Sequence, residues 1–200
     1  MSNILQLDTS IFSGQGFSSV LASELVVQLA NKSEQSVLVH KDFAKHPIPH
    51  FDANYITAIS TAENERTETQ KSLAAFSDQL IAELKAADNI VIGLPMYNFG
   101  IPSTLKAWFD HVARAGTTFK YTETGPQGLL TDKKVYLVTT RGGIHKDSAQ
   151  DTQIPFVKTF LAFLGLTDVE VIYAEGLNLG NGQREKGLET ARKLIESVAA

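Results

Sequence analysis

Apolar, mostly β-branched runs recur along the chain at residues 4–7, 37–40, 90–94, 135–139 and 169–173, each of strand length. Between them the apolar positions change period. Leu21, Leu25 and Leu29 repeat at helical spacing, and Leu73, Phe76, Leu80, Ile81 and Leu84 line one helical face. Leu105, Trp108, Phe109 and Val112 follow Pro102, with Gly116 placed to stop that helix. Ile154, Val157, Phe160, Leu161 and Leu164 form another stripe before Gly165, and residues 184–198 are rich in helix formers. The alternation predicts an α/β fold with a five-stranded parallel sheet in the order 2-1-3-4-5 and crossover helices on both faces. Its switch point falls between the first and third strands, so the loops after those strands border a ligand. Residues 44–66, with Pro47 and Pro49, read as a polar connector, and residues 117–130 as a short β excursion around a Gly125-Pro126 turn.

Composition narrows the chemistry. At 200 residues and 43% hydrophobic content, the chain fits one globular domain over residues 1–200. Its charge of -4 comes from 22 acidic and 18 basic residues without a basic block, so nucleic acid is a poor partner. No apolar run reaches the ~18 residues that a membrane span needs, and no basic leader precedes the first strand; a cytoplasmic location is expected. Cysteine is absent, which excludes disulfides, thiol nucleophiles and thiolate metal sites and leaves redox chemistry to a bound cofactor. His46 and His50 bracket Pro47 and Pro49, which forbids a helical metal pair; no metal is expected.

Three loops carry candidate chemistry. After the first strand, residues 9–19 combine hydroxyls and glycines with a helix start, an anion site built from backbone N–H groups and from Ser10 and Ser18. The P-loop pattern is missing, which disfavours triphosphate hydrolysis. After the third strand, Met96-Tyr97-Asn98-Phe99 sets two aromatic rings around an amide, a grip for a flat heteroaromatic ring. After the fourth, Thr140-Arg141-Gly142-Gly143 lets backbone approach a planar ligand, with N–H donors able to stabilise a reduced flavin's negative charge. Phosphate, polar chain and tricyclic ring are the parts of FMN.

Other readings compete. Gly14-Gln15-Gly16-Phe17-Ser18-Ser19 nearly matches the dinucleotide fingerprint, and Asp42 follows at about its ~20-residue spacing, as an NAD-binding Rossmann domain would require. The first glycine, however, comes well past the strand end. Tyr97 and Phe99 alone read as core aromatics, Ser10 and Ser18 as helix caps, and Arg141 as a surface ion-pair partner.

Pro95-Met96-Tyr97-Asn98-Phe99, Val112-Ala113-Arg114-Ala115-Gly116, Phe119-Lys120-Tyr121-Thr122-Glu123 and Arg141-Gly142-Gly143-Ile144-His145 resemble the bacterial FMN-dependent NADH-azoreductase family over essentially the whole chain. The resemblance implies a flavodoxin-like fold, a homodimer, one non-covalent FMN per subunit, and NADH-driven reduction of quinones and azo compounds by ping-pong hydride transfer through flavin N5. It implies FMN contacts at Ser10, Gly16, Phe17, Ser18, Met96, Tyr97, Asn98, Phe99, Thr140, Arg141, Gly142 and Gly143. It also implies pocket walls at Tyr121 and Phe163, and a proton or substrate contact at His145. Gly16-Phe17-Ser18 departs from the family's usual Ser-Gln-Ser, which costs the phosphate loop one hydroxyl. A flavodoxin-type electron carrier is the alternative that shares the cofactor.

Overall fold

A computed structural model of the chain describes residues 2–199. In chain order the elements are β1 (Ser2–Asp8), α1 (Phe17–Asn31), β2 (Ser36–Asp42), α2 (Ala53–Ser60), α3 (Glu68–Ala86), β3 (Asn89–Pro95) and α4 (Ser103–Val112). They continue with β4 (Phe119–Thr122), β5 (Gly125–Gly128), β6 (Lys134–Thr140), α5 (Gln153–Leu164), β7 (Asp168–Ala174) and α6 (Gln183–Ala199). The main sheet is parallel with order β2-β1-β3-β6-β7, which is the expected 2-1-3-4-5 once the separate β4-β5 hairpin is set aside.

Strand pleating divides the core. Leu5, Leu7, Ile90, Ile92, Leu94, Val135 and Leu137 pack with Trp108, Phe109 and the stripes of α3, α4 and α5. Ile4, Val91, Tyr136, Val138 and Ile172 meet Leu21 and Leu25 of α1 and Ala191 and Ile195 of α6. Helix α3 starts on a capping box: Gln70 N donates to Thr67 Oγ1 at 3.3 Å and Thr67 N to Gln70 Oε1 at 2.9 Å.

Three local expectations are corrected. The polar connector contains α2, whose N-cap Asp52 accepts from Asn54 N at 2.9 Å and Tyr55 N at 3.2 Å and which buries Tyr55 and Ala58. Gly116 does not end α4; the Thr118 hydroxyl, 2.7 Å from Val112 O, closes the helix, while Gly116 takes φ 73° in the turn beyond. The hairpin reverses at Glu123 and Thr124, and Gly125-Pro126 lies within β5, opposite Tyr121 and Thr122. A two-stranded hairpin has an edge where proline's missing N–H is tolerated.

The connector also builds an aromatic cage around His111, which is 1% exposed. Phe51, Tyr55 and Phe76 meet the imidazole edge-on at 5.1, 4.5 and 5.1 Å, and Nε2 lies 3.0 Å from Pro49 O. Nδ1 has no partner among the described residues, so the ring is held neutral as the Nε2–H tautomer. Burial lowers the His111 pKa from 6.5, against the opposing pull of the Pro49 carbonyl. The unfolded chain therefore binds the proton more readily. Stability is full above about 6.5 and declines as pH falls through that value toward the lower folded-state pKa. Thermal melts at pH 7.5 and 5.5 are expected to show a smaller acid-induced loss in His111→Leu than in the parent.

Candidate functional site

The loop from β1 into α1 is bound to its neighbours at several points. Thr9 Oγ1 donates to Gly93 O at 2.6 Å, and the Tyr97 hydroxyl lies 3.3 Å from Ile11 N and 3.5 Å from Ser10 Oγ. These bonds join the loops after β1 and β3 across the switch point. Ser13, at φ 54°, donates from its hydroxyl to Asp42, whose other oxygen accepts from Ala44 N at 3.1 Å. These bonds, with Lys45 at 3.2 Å, lower the Asp42 pKa against the opposing effect of its burial. Asp42 is thus committed to holding the loop and is not free to grip a ribose, which removes the main support for a dinucleotide reading.

Gly16 is the N-cap of α1, and no side chain among the described residues caps that helix. The N–H groups of its first turn therefore remain for a ligand. Ser18 Oγ is buried with no partner among the described residues, an orphaned donor beside those groups. A Cβ at Gly16 would lie 2.2 Å from Ser10 Oγ and 2.6 Å from Ser10 Cβ. Glycine at 16 lets Ser10 pack against this turn, a physical counterpart of the serine missing there.

After β3, Tyr97 and Gly100 exchange backbone bonds at 3.1 and 3.0 Å around a two-residue turn with Asn98 at φ 50° and Phe99 at φ 65°. Asparagine accepts that region readily; phenylalanine there costs on the order of 1–3 kcal/mol. Surrounding bonds impose it. Thr152 Oγ1 donates to Phe99 O at 2.5 Å, and buried Gln153 donates from Nε2 to Pro95 O at 2.9 Å and Gly100 O at 3.1 Å. Gln153 Oε1 accepts from Thr139 Oγ1 at 3.0 Å, so one side chain joins the ends of β3 and β6.

After β6, Arg141 is not the surface residue it could have been; it is 1% exposed. Its guanidinium grips Asp151 at 2.8 and 3.0 Å, reaches Glu175 at 3.2 Å and lies over the Tyr173 ring. Glu175 Oε1 also accepts from His145 N and Lys146 N at 2.8 and 2.9 Å, fixing the loop beyond the glycine pair. Gly142 and Gly143 keep N–H groups without partners among the described residues, while their carbonyls accept from Asn178 N and Gly176 N respectively. A Cβ at Gly142 would lie 2.5 Å from Asn178 Nδ2, so a larger residue there would have to displace the Asn178 side chain.

The three loops enclose one cleft of about 290 Å³. It brings together Ser10, Gly16, Phe17, Ser18, Met96, Tyr97, Thr140, Arg141 and Gly142, with Arg141 contributing backbone rather than charge. Asn98, Phe99 and Gly143 sit beside its lining, and His145 meets Phe99 edge-on at 5.7 Å at the rim. Phe12, Gln15, Pro95, Leu177 and Asn178 also line it and were not expected. The fifth strand's loop supplies the last two, a source that the switch-point argument does not mark. Tyr121 and Phe163 instead join Phe119 in an aromatic cluster, with ring centroids 5.4 and 4.3 Å from Phe119. Phe163 is at the far end of α5 from Gln153, about 15 Å along the axis at 1.5 Å per residue. Among the described residues no group of acidic, histidine or cysteine side chains could hold a metal, and no helix is long and apolar enough to cross a membrane.

A parallel sheet with an anion-ready helix start, an aromatic turn and a glycine pair at its carboxyl edge defines a class. Residues 2–198 match a family model described as flavodoxin-like fold, and the chain belongs to that family. More particular likenesses agree. An FMN-dependent NADH:quinone oxidoreductase of Cellvibrio japonicus is 50% identical over 200 residues, covering 100% of both chains. One of Saccharophagus degradans is 53% identical, covering 98% of this chain and 92% of its own. Among solved structures, an azoreductase from Bacillus anthracis superposes with a TM-score of 0.90 at 27% identity, covering 100% of this chain and 99% of that one.

Proposed function

We propose that this chain is an FMN-dependent oxidoreductase that uses NADH to reduce quinones and to cleave azo compounds reductively. The observation that carries the reading is the buried, unpartnered Ser18 hydroxyl at an uncapped helix start, in the same cleft as Met96, Tyr97 and Gly142. The residues fit the cofactor part by part. Ser18 and the first-turn N–H groups of α1 hold the phosphate; Met96 and Tyr97 flank the ring; the Gly142 and Gly143 N–H groups favour negative charge on the ring's pyrimidine side. When bound, FMN supplies a centre that accepts hydride from a nicotinamide and returns it to an acceptor.

The protein's part is orientation and exclusion of water. Donor and acceptor use one exposed site in turn, a ping-pong scheme, and the acceptor's proton comes from water or from His145 at the rim. Tyr121, 76% exposed and remote from its own chain's cleft, supports a homodimer in which such aromatic clusters border the partner's site. Preference for NADH follows the relatives' names. A cytoplasmic setting is part of the same proposal.

Anaerobic addition of NADH to the purified yellow protein tests the reading. The visible flavin band is expected to bleach and to return when a quinone is added. Persistence of the band under NADH would transfer the chain to the electron carriers, and a protein that stays colourless with added FMN would remove the flavin altogether.

A further inference from the structure

Arg184 stands in the first turn of α6, and α6 runs parallel to α1. Lys32 Nζ donates to Val198 O at 2.8 Å at one end of the pair, and Arg192 pairs with Glu24 at 3.0 Å in the middle. At the other end the Arg184 guanidinium lies 6.0 Å from the centroid of Phe17, the first residue of α1, within cation–π range. Its Nε donates to Leu177 O at 2.8 Å. Phe17 and Leu177 both line the cleft, so Arg184 bridges two of its walls where α1 begins.

The charge there is uncommitted. Among the described residues no carboxylate lies within ion-pair distance of Arg184, whereas Arg114, Arg141 and Arg192 are all paired. Both Nη groups of Arg184 are likewise without hydrogen bonds. Among the described residues the cleft lining itself holds one cation, Arg141, whose guanidinium is turned inward onto Asp151 and Glu175, and Arg184 stands just outside the lining, against Phe17 and Leu177. A phosphate dianion at the α1 start would otherwise meet a hydroxyl and backbone dipoles alone, at a turn where Gly16 contributes no side chain.

We propose that Arg184 binds the phosphate ester of FMN, held toward it by the Phe17 ring and the Leu177 carbonyl. The inference rests on the FMN reading above and adds a cationic contact from α6 to it. Phe17 then acts as the platform of that cation, which accounts for an apolar ring 43% exposed beside a phosphate loop.

The test compares FMN with riboflavin, which lacks the phosphate, in titrations of flavin-stripped protein. An exposed ion pair of up to ~1 kcal/mol corresponds to about a fivefold change in affinity. Arg184→Ala is expected to weaken FMN by about that factor and to leave riboflavin unchanged. Arg184→Lys should keep most of the FMN affinity, and added salt should narrow the gap between parent and Arg184→Ala. Equal weakening of both flavins would reduce Arg184 to a brace between α1 and α6 and overturn the proposal. So would unaltered FMN affinity, including the case in which only the KM for NADPH rises and the cation serves a nucleotide phosphate. A parent protein that binds neither flavin would instead overturn the FMN reading itself.

Discussion

Arg141→Met is expected to lower stability by about 3–5 kcal/mol, because the substitution leaves Asp151 and Glu175 nearly buried without their cation. For a chain of this size the melting temperature should fall by on the order of 10 °C. The damage reaches the cleft. Glu175 fixes the backbone of His145 and Lys146, and Asp151 Oδ1 accepts from Ile154 N at 3.2 Å at the start of α5. Without the guanidinium, two carboxylates repel each other beneath the glycine pair, and FMN affinity should drop with stability. Calorimetry and flavin titration check both effects. If the orphaned charges cause the loss, adding Asp151→Asn and Glu175→Gln to Arg141→Met should recover part of the melting temperature; a further fall would contradict that cause.

Gln153→Leu should cost about 2–4 kcal/mol with little change in volume, since it strands Pro95 O and Thr139 Oγ1 in a buried place and leaves Gly100 O with the Tyr97 N–H alone. The flavin-facing consequence follows from the turn that Gln153 braces. Phe99 remains at φ 65° only while its surroundings hold it there, so loss of the brace frees the turn to relax away from the ring. FMN affinity is expected to fall about tenfold, the equivalent of ~1.4 kcal/mol. Gln153→Glu keeps the acceptor for Thr139 but sets a carboxylate against two carbonyls, so it should be no better than Leu at neutral pH. Full stability and affinity in Gln153→Glu would show that the Thr139 bond alone matters.

Much of this architecture was readable from periodicity. The central strands β1, β3 and β6 are apolar and buried on both faces, and the stripes of α3, α4 and α5 each face one layer. The hidden features are those made by distant partners. Arg141 looks like an ordinary surface cation because Asp151 and Glu175 lie 10 and 34 residues away. Gln153 carries no local signal at all; its importance comes from the end of β3 arriving opposite it. Helix α2 was masked by the prolines and polarity around it, although Asp52 placed ahead of Tyr55 is a legible cap. At the site, residue types identified the cofactor's parts, while Leu177 and Asn178 could be found only once β7 was seen beside β6.

The most direct test is a crystal structure of the protein grown with FMN. The expected result is a phosphate within hydrogen-bond distance of Ser18 Oγ and the first-turn N–H groups of α1, with the ring lying between Tyr97 and Gly142. FMN seated elsewhere, or a phosphate at that cleft with the ring directed away from both residues, would contradict it.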